Sequence, residues 1–275
     1  ISLRPHLDLQ ALDIPGASLT YSNETLGYRI YELRTPMFPG SDLTMDFDIA
    51  WTTPGFANNG HGASLTSNGT FFNNGDVFPQ LGYQASQELQ DNNVRRRFDL
   101  PPVQRAASID DPQALMKSGL ANNRVNFETV VSTSAEQIAL APGYLIREWE
   151  ENNRRYFHYR MDAPIWNFYS FMSADYQVKK DTWTSPAGDE VAIEVYYVHD
   201  YNVDTMIRST KNSLDYFTQN FAPYQYRQFR ILEFPHFQGT FAQAFPNTIP
   251  FSEAIGFIAD LRDPKEIDYV FYVTA

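Results

Sequence analysis

The residues best able to hold a metal or move a proton are five histidines, His6, His61, His158, His199 and His236. No two stand four apart, the spacing at which one helix presents two imidazoles to the same ion, so a local zinc motif is absent. His158 sits in an alternating run and reads as a packed or surface strand residue. His199-Asp200 has the makings of an oriented imidazole, yet its place at a strand end reads as an ordinary interdomain hydrogen bond. Carboxylates recur at Asp110-Asp111, Glu148, Glu150 and Glu151, and Asp189-Glu190, always among polar or turn residues. A glycosidase needs two carboxylates converging at about 5–10 Å, and nothing in these spacings supplies that. Cysteine is absent, which excludes disulfides, thiol nucleophiles, thiolate zinc sites and iron–sulfur clusters. There is no Gly-x-Ser-x-Gly elbow, phosphate-cradling glycine loop or dinucleotide fingerprint.

Charge narrows the partners. With 33 acidic and 21 basic residues the formal net charge is -12, the wrong sign for binding a phosphate backbone, and no nucleic-acid partner is expected. The one basic cluster, Arg95-Arg96-Arg97, is offset by Asp91 and Asp99 and reads as a solvated face. A hydrophobic content of 43% over 275 residues suffices for packed cores. No run approaches the roughly 18 apolar residues of a membrane-spanning helix. The 17 tyrosines and 21 phenylalanines are explained by core packing without a sugar ligand, which leaves a carbohydrate-active domain the weakest reading.

Any site must be positioned by strands over most of the chain. Leu43–Ile49, Tyr156–Met161 and the run Val191, Ile193, Val195, Tyr197 alternate with period two, separated by turns such as Pro54-Gly55, Asn68-Gly69 and Pro186-Ala187-Gly188. Short helices are expected near Gln84–Asn92 and Pro112–Ser118. From about residue 200 the pattern changes. Asn202 or Asp204 can cap a helix to about Asn220 whose Val203, Ile207, Leu214, Phe217 and Phe221 share a face. Phe229–Phe234 reads as a strand, followed by an irregular stretch from Pro235 to Pro250. Asp263-Pro264-Lys265-Glu266 has the form of a capping box, and Ile267, Val270, Phe271 and Thr274 follow at helical spacing. That helix is expected to be interrupted at Ala275, and the start at Ile1 without methionine likewise suggests an excerpt.

The segment from Trp166 to Ala275 resembles the aminopeptidase N-like zinc metallopeptidases. Ala163-Pro164-Ile165-Trp166-Asn167-Phe168 is similar to the end of the family's N-terminal sheet domain. Phe217–Tyr226 and then Phe229–Pro235 resemble the family's turn into the first strand of its thermolysin-like domain, and Thr248–Glu253 the stretch after its substrate loop. Gly69–Asn74 with Phe78–Tyr83 resembles a subgroup joined to ABC-transporter-type permeases. The resemblance implies an α+β, mostly β fold: an antiparallel, saddle-like β-sheet domain over 1–199, then the start of a thermolysin-like domain over 200–275.

In such enzymes zinc and a glutamate of His-Glu-x-x-His activate water, and here that motif would lie beyond Ala275. No catalytic residue, metal ligand or bound zinc is therefore expected in this chain, while zinc is expected in its parent. The expected partners are a peptide substrate, the remainder of the polypeptide and, from the subgroup, a membrane permease domain, implying an extracytoplasmic location. The family's Gly-Ala-Met-Glu-Asn loop grips the peptide backbone and its amino terminus. Its counterpart is Phe241-Ala242-Gln243-Ala244-Phe245, with Ala244 where the glutamate belongs. Strict aminopeptidase specificity does not carry over, and Gln243 offers an ammonium only an amide oxygen. Asn73 and Asn74 are candidates for the pocket wall, although turn chemistry explains them equally. The alternative is a non-catalytic β-rich binding module on the same scaffold. Exposed apolar surface is expected around Ile267, Val270 and Phe271.

Overall fold

The computed structural model describes residues 1–53, 64–82, 88–103, 108, 110–113, 124–263, 265 and 267–275. The turn at Pro54-Gly55, His61, the first four residues of the helix expected near 84–92 and most of that near 112–118 lie outside the described residues. In chain order the strands are β1 (Asp8–Asp13), β2 (Ala17–Asn23), β3 (Tyr28–Leu33), β4 (Asp46–Ala50), β5 (Thr70–Asn73), β6 (Arg124–Val125), β7 (Glu128–Ser134), β8 (Ile138–Leu140), β9 (Tyr144–Glu151), β10 (Arg154–Arg160), β11 (Ile165–Trp166), β12 (Ser170–Ala174), β13 (Gln177–Thr184), β14 (Glu190–Tyr197), β15 (Gln228–Phe234) and β16 (Thr248–Ser252). The helices are α1 (Asn74–Val77), α2 (Asn92–Arg97), α3 (Val203–Asn220) and α4 (Tyr269–Thr274). The mostly β, α+β architecture expected from the sequence is the one observed.

Two compact units divide the chain, one of residues 1–52 and 75–124, the other of 53–74 and 125–275. The first holds two antiparallel ribbons, β1 with β4 and β2 with β3. Its helix α2 is capped by Asp91, whose side chain accepts from the N–H groups of Asn93 and Val94. Arg95, in the basic cluster read as a solvated face, is instead buried and donates to Glu88 and to the carbonyls of Leu89 and Pro101.

The second unit carries the residues of interest. Its sheets are β7-β10-β9, β5-β12-β8 and the four-stranded β13-β14-β15-β16. In the last, β13 and β14 are antiparallel, whereas β14, β15 and β16 run parallel with α3 as the crossover. The sheet draws strands from both sides of residue 199. β15 is central, and from Arg230 to Phe234 every residue is buried, so the strand reads as a continuous apolar run interrupted by two charges. On one face, Val191, Ile193, Val195, Ile231 and Phe251 pack with Val203, Met206, Ile207 and Leu214 of α3. Phe234 stacks on Phe71 of β5, with ring centroids 4.8 Å apart.

Three helical expectations are corrected by the packing. Asn202 precedes α3 but makes no side-chain cap; its amide donates to the carbonyls of Gly256, Phe257 and Ala259 and ties the helix start to the loop after β16. Phe217 and Phe221, read as part of the buried face, are 48% and 75% exposed. The last helix begins at Tyr269, not Asp263: Asp268 caps it through the N–H of Phe271, while the Asp263 carboxylate accepts from Lys265 in a local turn. Of the expected apolar face only Val270 is buried, joined by Val273; Ile267 and Phe271 are exposed.

Candidate functional site

The stretch from Pro235 to Pro250, expected to be irregular, contains a hairpin. Phe245 and Thr248 exchange both backbone hydrogen bonds, the N–H of Gln243 donates to the Pro250 carbonyl, and that of Ser252 to the Phe241 carbonyl. Residues 241–245 therefore lie antiparallel on the outer side of β16, joined through Pro246-Asn247. Asn247 adopts a left-handed φ of 46°, which asparagine tolerates, and its side-chain oxygen accepts from the Gly143 N–H and from Arg230. In this register Phe241, Gln243 and Phe245 direct backbone groups at β16, and Ala242 and Ala244 direct theirs outward. Their N–H groups make no hydrogen bond among the described residues.

Aromatic packing fixes this edge. Phe245 is buried against Phe168 at 4.7 Å, and Phe241, 39% exposed, lies 5.0 Å from Phe234 and 6.0 Å from Phe71. Gly239, at φ 141°, gives Phe241 its room: a Cβ there would meet the Phe241 ring at 2.5 Å. Gln243 donates its amide to the neighbouring Ala244 carbonyl at 3.2 Å. No carboxylate lies within 241–245, and Ala244 itself is exposed.

Asn73 pairs with Ser170 in the β5–β12 ladder. Asn74 is 8% exposed and works as a clamp: it accepts from the Tyr169 N–H and donates to both the backbone and side-chain oxygens of Asn167. It thereby holds the loop whose Phe168 supports Phe245. The structure thus joins Asn74 to the 241–245 edge through Asn167–Tyr169.

Beside this edge lies a cluster that the histidine spacing does not reveal. Glu233, 3% exposed at the end of β15, accepts through one oxygen from the N–H groups of Val198 (2.6 Å) and His199 (2.9 Å). Its other oxygen lies 2.5 Å from His199 Nδ1. Glu253, just past β16, turns one oxygen to the His236 N–H (2.9 Å) and Nδ1 (2.5 Å), and the other to His199 Nδ1 at 3.8 Å. Tyr176, whose hydroxyl burial pushes far above its ordinary range, donates to the Glu233 carbonyl. His199 thus makes a hydrogen bond, to a carboxylate 34 residues away within the same compact unit and not between units. A charge inside the apolar run Phe229–Phe234 was the one sequence signal, because a buried carboxylate must find partners. The zinc arrangement implied by the resemblance, two histidines four apart on one helix, is not offered by the described residues.

Sequence comparison finds no matching family model and no matching curated protein. Comparison of folds does. The chain superposes over 98% of its length on Legionella pneumophila aminopeptidase A, solved with aspartic acid, with a TM-score of 0.61 and 14% identity, spanning 28% of that protein. A mutant M1 zinc metallopeptidase of Deinococcus radiodurans bound to a Tyr-Ser-Ala substrate matches over 91% of this chain and 51% of its own, at TM-score 0.51 and 12% identity. A two-domain M1 zinc metallopeptidase bound to L-arginine matches over 90% and 50%, at 0.50 and 13%. These likenesses show a fold shared with part of an aminopeptidase and of two M1 zinc metallopeptidases, and this chain spans only 28%, 51% and 50% of their lengths.

Proposed function

We propose that this chain is the substrate-positioning part of a zinc-dependent metallopeptidase, with residues 1–199 forming its N-terminal β domain and 200–275 opening its catalytic domain. The observation that carries this reading is the edge formed by 241–245. Outward N–H groups at alternate residues, on a strand stiffened by buried aromatic rings, are what an extended peptide needs in order to add itself to a sheet. The fold likeness supports it, since one of the matching metallopeptidases holds a Tyr-Ser-Ala substrate. Zinc and the groups that activate water would belong to other residues of the parent polypeptide, as would any permease domain joined to it. Without a carboxylate in the loop, the grip on a free amino terminus is weak, and the parent takes peptides by their backbone more than by their charged end.

A tripeptide carrying a photoreactive side chain tests this reading. Irradiation of the complex, followed by proteolysis and mass spectrometry, is expected to place the cross-link between Phe237 and Pro246. Cross-links scattered over the surface, or none above the level given by a non-peptide photoprobe, would overturn it.

A further inference from the structure

We propose that His199, Glu233 and Glu253 form a binding site for a divalent transition-metal ion of the zinc type, separate from any His-Glu-x-x-His site of a parent enzyme. The ligand atoms these residues offer, one imidazole nitrogen and two carboxylate oxygens, all lie within 4.8 Å of one another. Imidazole with carboxylate is a ligand set that suits zinc, whereas calcium and magnesium prefer oxygen alone.

The arrangement is prepared on both sides of the nitrogen. Each carboxylate has one oxygen tied to a backbone N–H, Glu233 to Val198 and His199, Glu253 to His236. That leaves the second oxygen of each facing His199 Nδ1, at 2.5 and 3.8 Å. Tetrahedral ligands about 2.0–2.1 Å from zinc stand roughly 3.3 Å apart, so the ion needs the first separation to open by about 0.8 Å and the second to close by about 0.5 Å, with the two carboxylate oxygens, within 4.8 Å of each other, drawn to the same spacing. His236 Nδ1 holds the outer oxygen of Glu253, the supporting role that second partners play around metal-bound carboxylates. Three protein ligands leave a coordination position for water, and the His199 side chain is 40% exposed, so an ion has a path in.

Charge argues in the same direction. Among the described residues the only basic side chains bridging Glu233 and Glu253 are the histidines, which are cationic only when protonated. With neutral imidazoles two largely buried carboxylates share one small volume without a lysine or arginine. Such a pair is unfavourable unless neutralised, and a dication does so. This departs from the expectation, drawn from the histidine spacing and the family resemblance together, that the chain holds no metal. It does not depend on the peptidase reading, because binding is measured on this chain without catalysis.

The test is equilibrium dialysis of the 275-residue chain with zinc chloride against buffer containing a weak chelator, with bound metal measured by elemental analysis. One ion per chain is expected to be retained. His199→Ala and Glu253→Gln are each expected to weaken binding at least tenfold, and His158→Ala, which removes a half-buried histidine paired with Glu128 in another sheet, leaves it unchanged. Circular dichroism establishes that the variants are folded. Cobalt(II) added to the unaltered chain gives a second readout, visible absorption of four-coordinate intensity that zinc abolishes. Retention of less than a tenth of an ion by the folded chain, retention unaffected by both substitutions, or cobalt absorption of the aqueous ion would overturn the proposal.

Discussion

Removing the Glu233 side chain tests whether the end of β15 is held by charge or by packing. In Glu233→Ala the N–H groups of Val198 and His199 lose their shared acceptor, and His199 Nδ1 loses its nearest partner. An unsatisfied buried donor costs about 1–3 kcal/mol. Val198 is 43% exposed, so water reaches the vacated groups in part, and the lower half of that range applies to each. Two donors then give a destabilisation of about 3 kcal/mol. Glu233→Gln keeps one oxygen for the backbone and gives up the extra strength of a charged acceptor, for a loss of about 1 kcal/mol. Urea unfolding with a common m-value measures both differences. Amide exchange at Val198 and His199 reports whether the loss is local. The reasoning fails if Ala and Gln cost the same, or if Ala lies within about 1 kcal/mol of the unaltered protein, since packing and not the shared acceptor would then hold the strand end.

Other substitutions probe the same unit. Arg230, 1% exposed, donates to the carbonyls of Ala141 and Gly143 and to Asn247, so Arg230→Met strands several buried acceptors and is expected to lower stability by about 3 kcal/mol in the same unfolding assay. A neutral result would mean that the charge's own desolvation offsets its bonds. The Glu194 carboxyl is raised by burial but lowered more by Tyr196, Lys180 and Arg230, and sits below its usual 4.5. Its contribution is therefore present above that value and lost as pH falls through the depressed one, and Glu194→Gln should flatten the acid limb of a thermal melting series there. Gly239→Ala drives a methyl into the Phe241 ring at a φ that L-residues avoid, with a destabilisation of about 1–3 kcal/mol and a displaced 241–245 edge, read from the Phe241 ring signals by NMR.

Alternation made β10 and β14 legible, a short apolar run did so for β15, and 3.6-residue spacing found α3 almost to its ends. The errors come from neighbours that local patterns do not record. Phe217 and Phe221 continue the spacing of Val203, Ile207 and Leu214, yet they stay exposed and line or adjoin a groove of about 580 Å³ with Tyr224, Phe229 and Ile249 in place of a packed layer. Asp263-Pro264-Lys265-Glu266 satisfies the helix-start template, but Asp268 offers the same chemistry five residues later, next to Val270, which the core buries. The 241–245 strand was hidden because Pro246, Asn247 and Pro250 read as loop chemistry, although Pro250 sits opposite Gln243, where only its carbonyl is required. His199, Glu233, Glu253 and His236 come together only through the parallel order of β14, β15 and β16, which no local spacing encodes.

The proposed function requires residues 241–245 to present a free strand edge to a peptide. Backbone amide exchange, measured residue by residue with and without the tripeptide Tyr-Ser-Ala, addresses it directly. The account predicts slowing at Ala242 and Ala244, whose N–H groups face outward, and little change at Gln243 and Phe245, which already bond to β16. Equal slowing at all four, or none at Ala242 and Ala244 under saturating peptide, would contradict it.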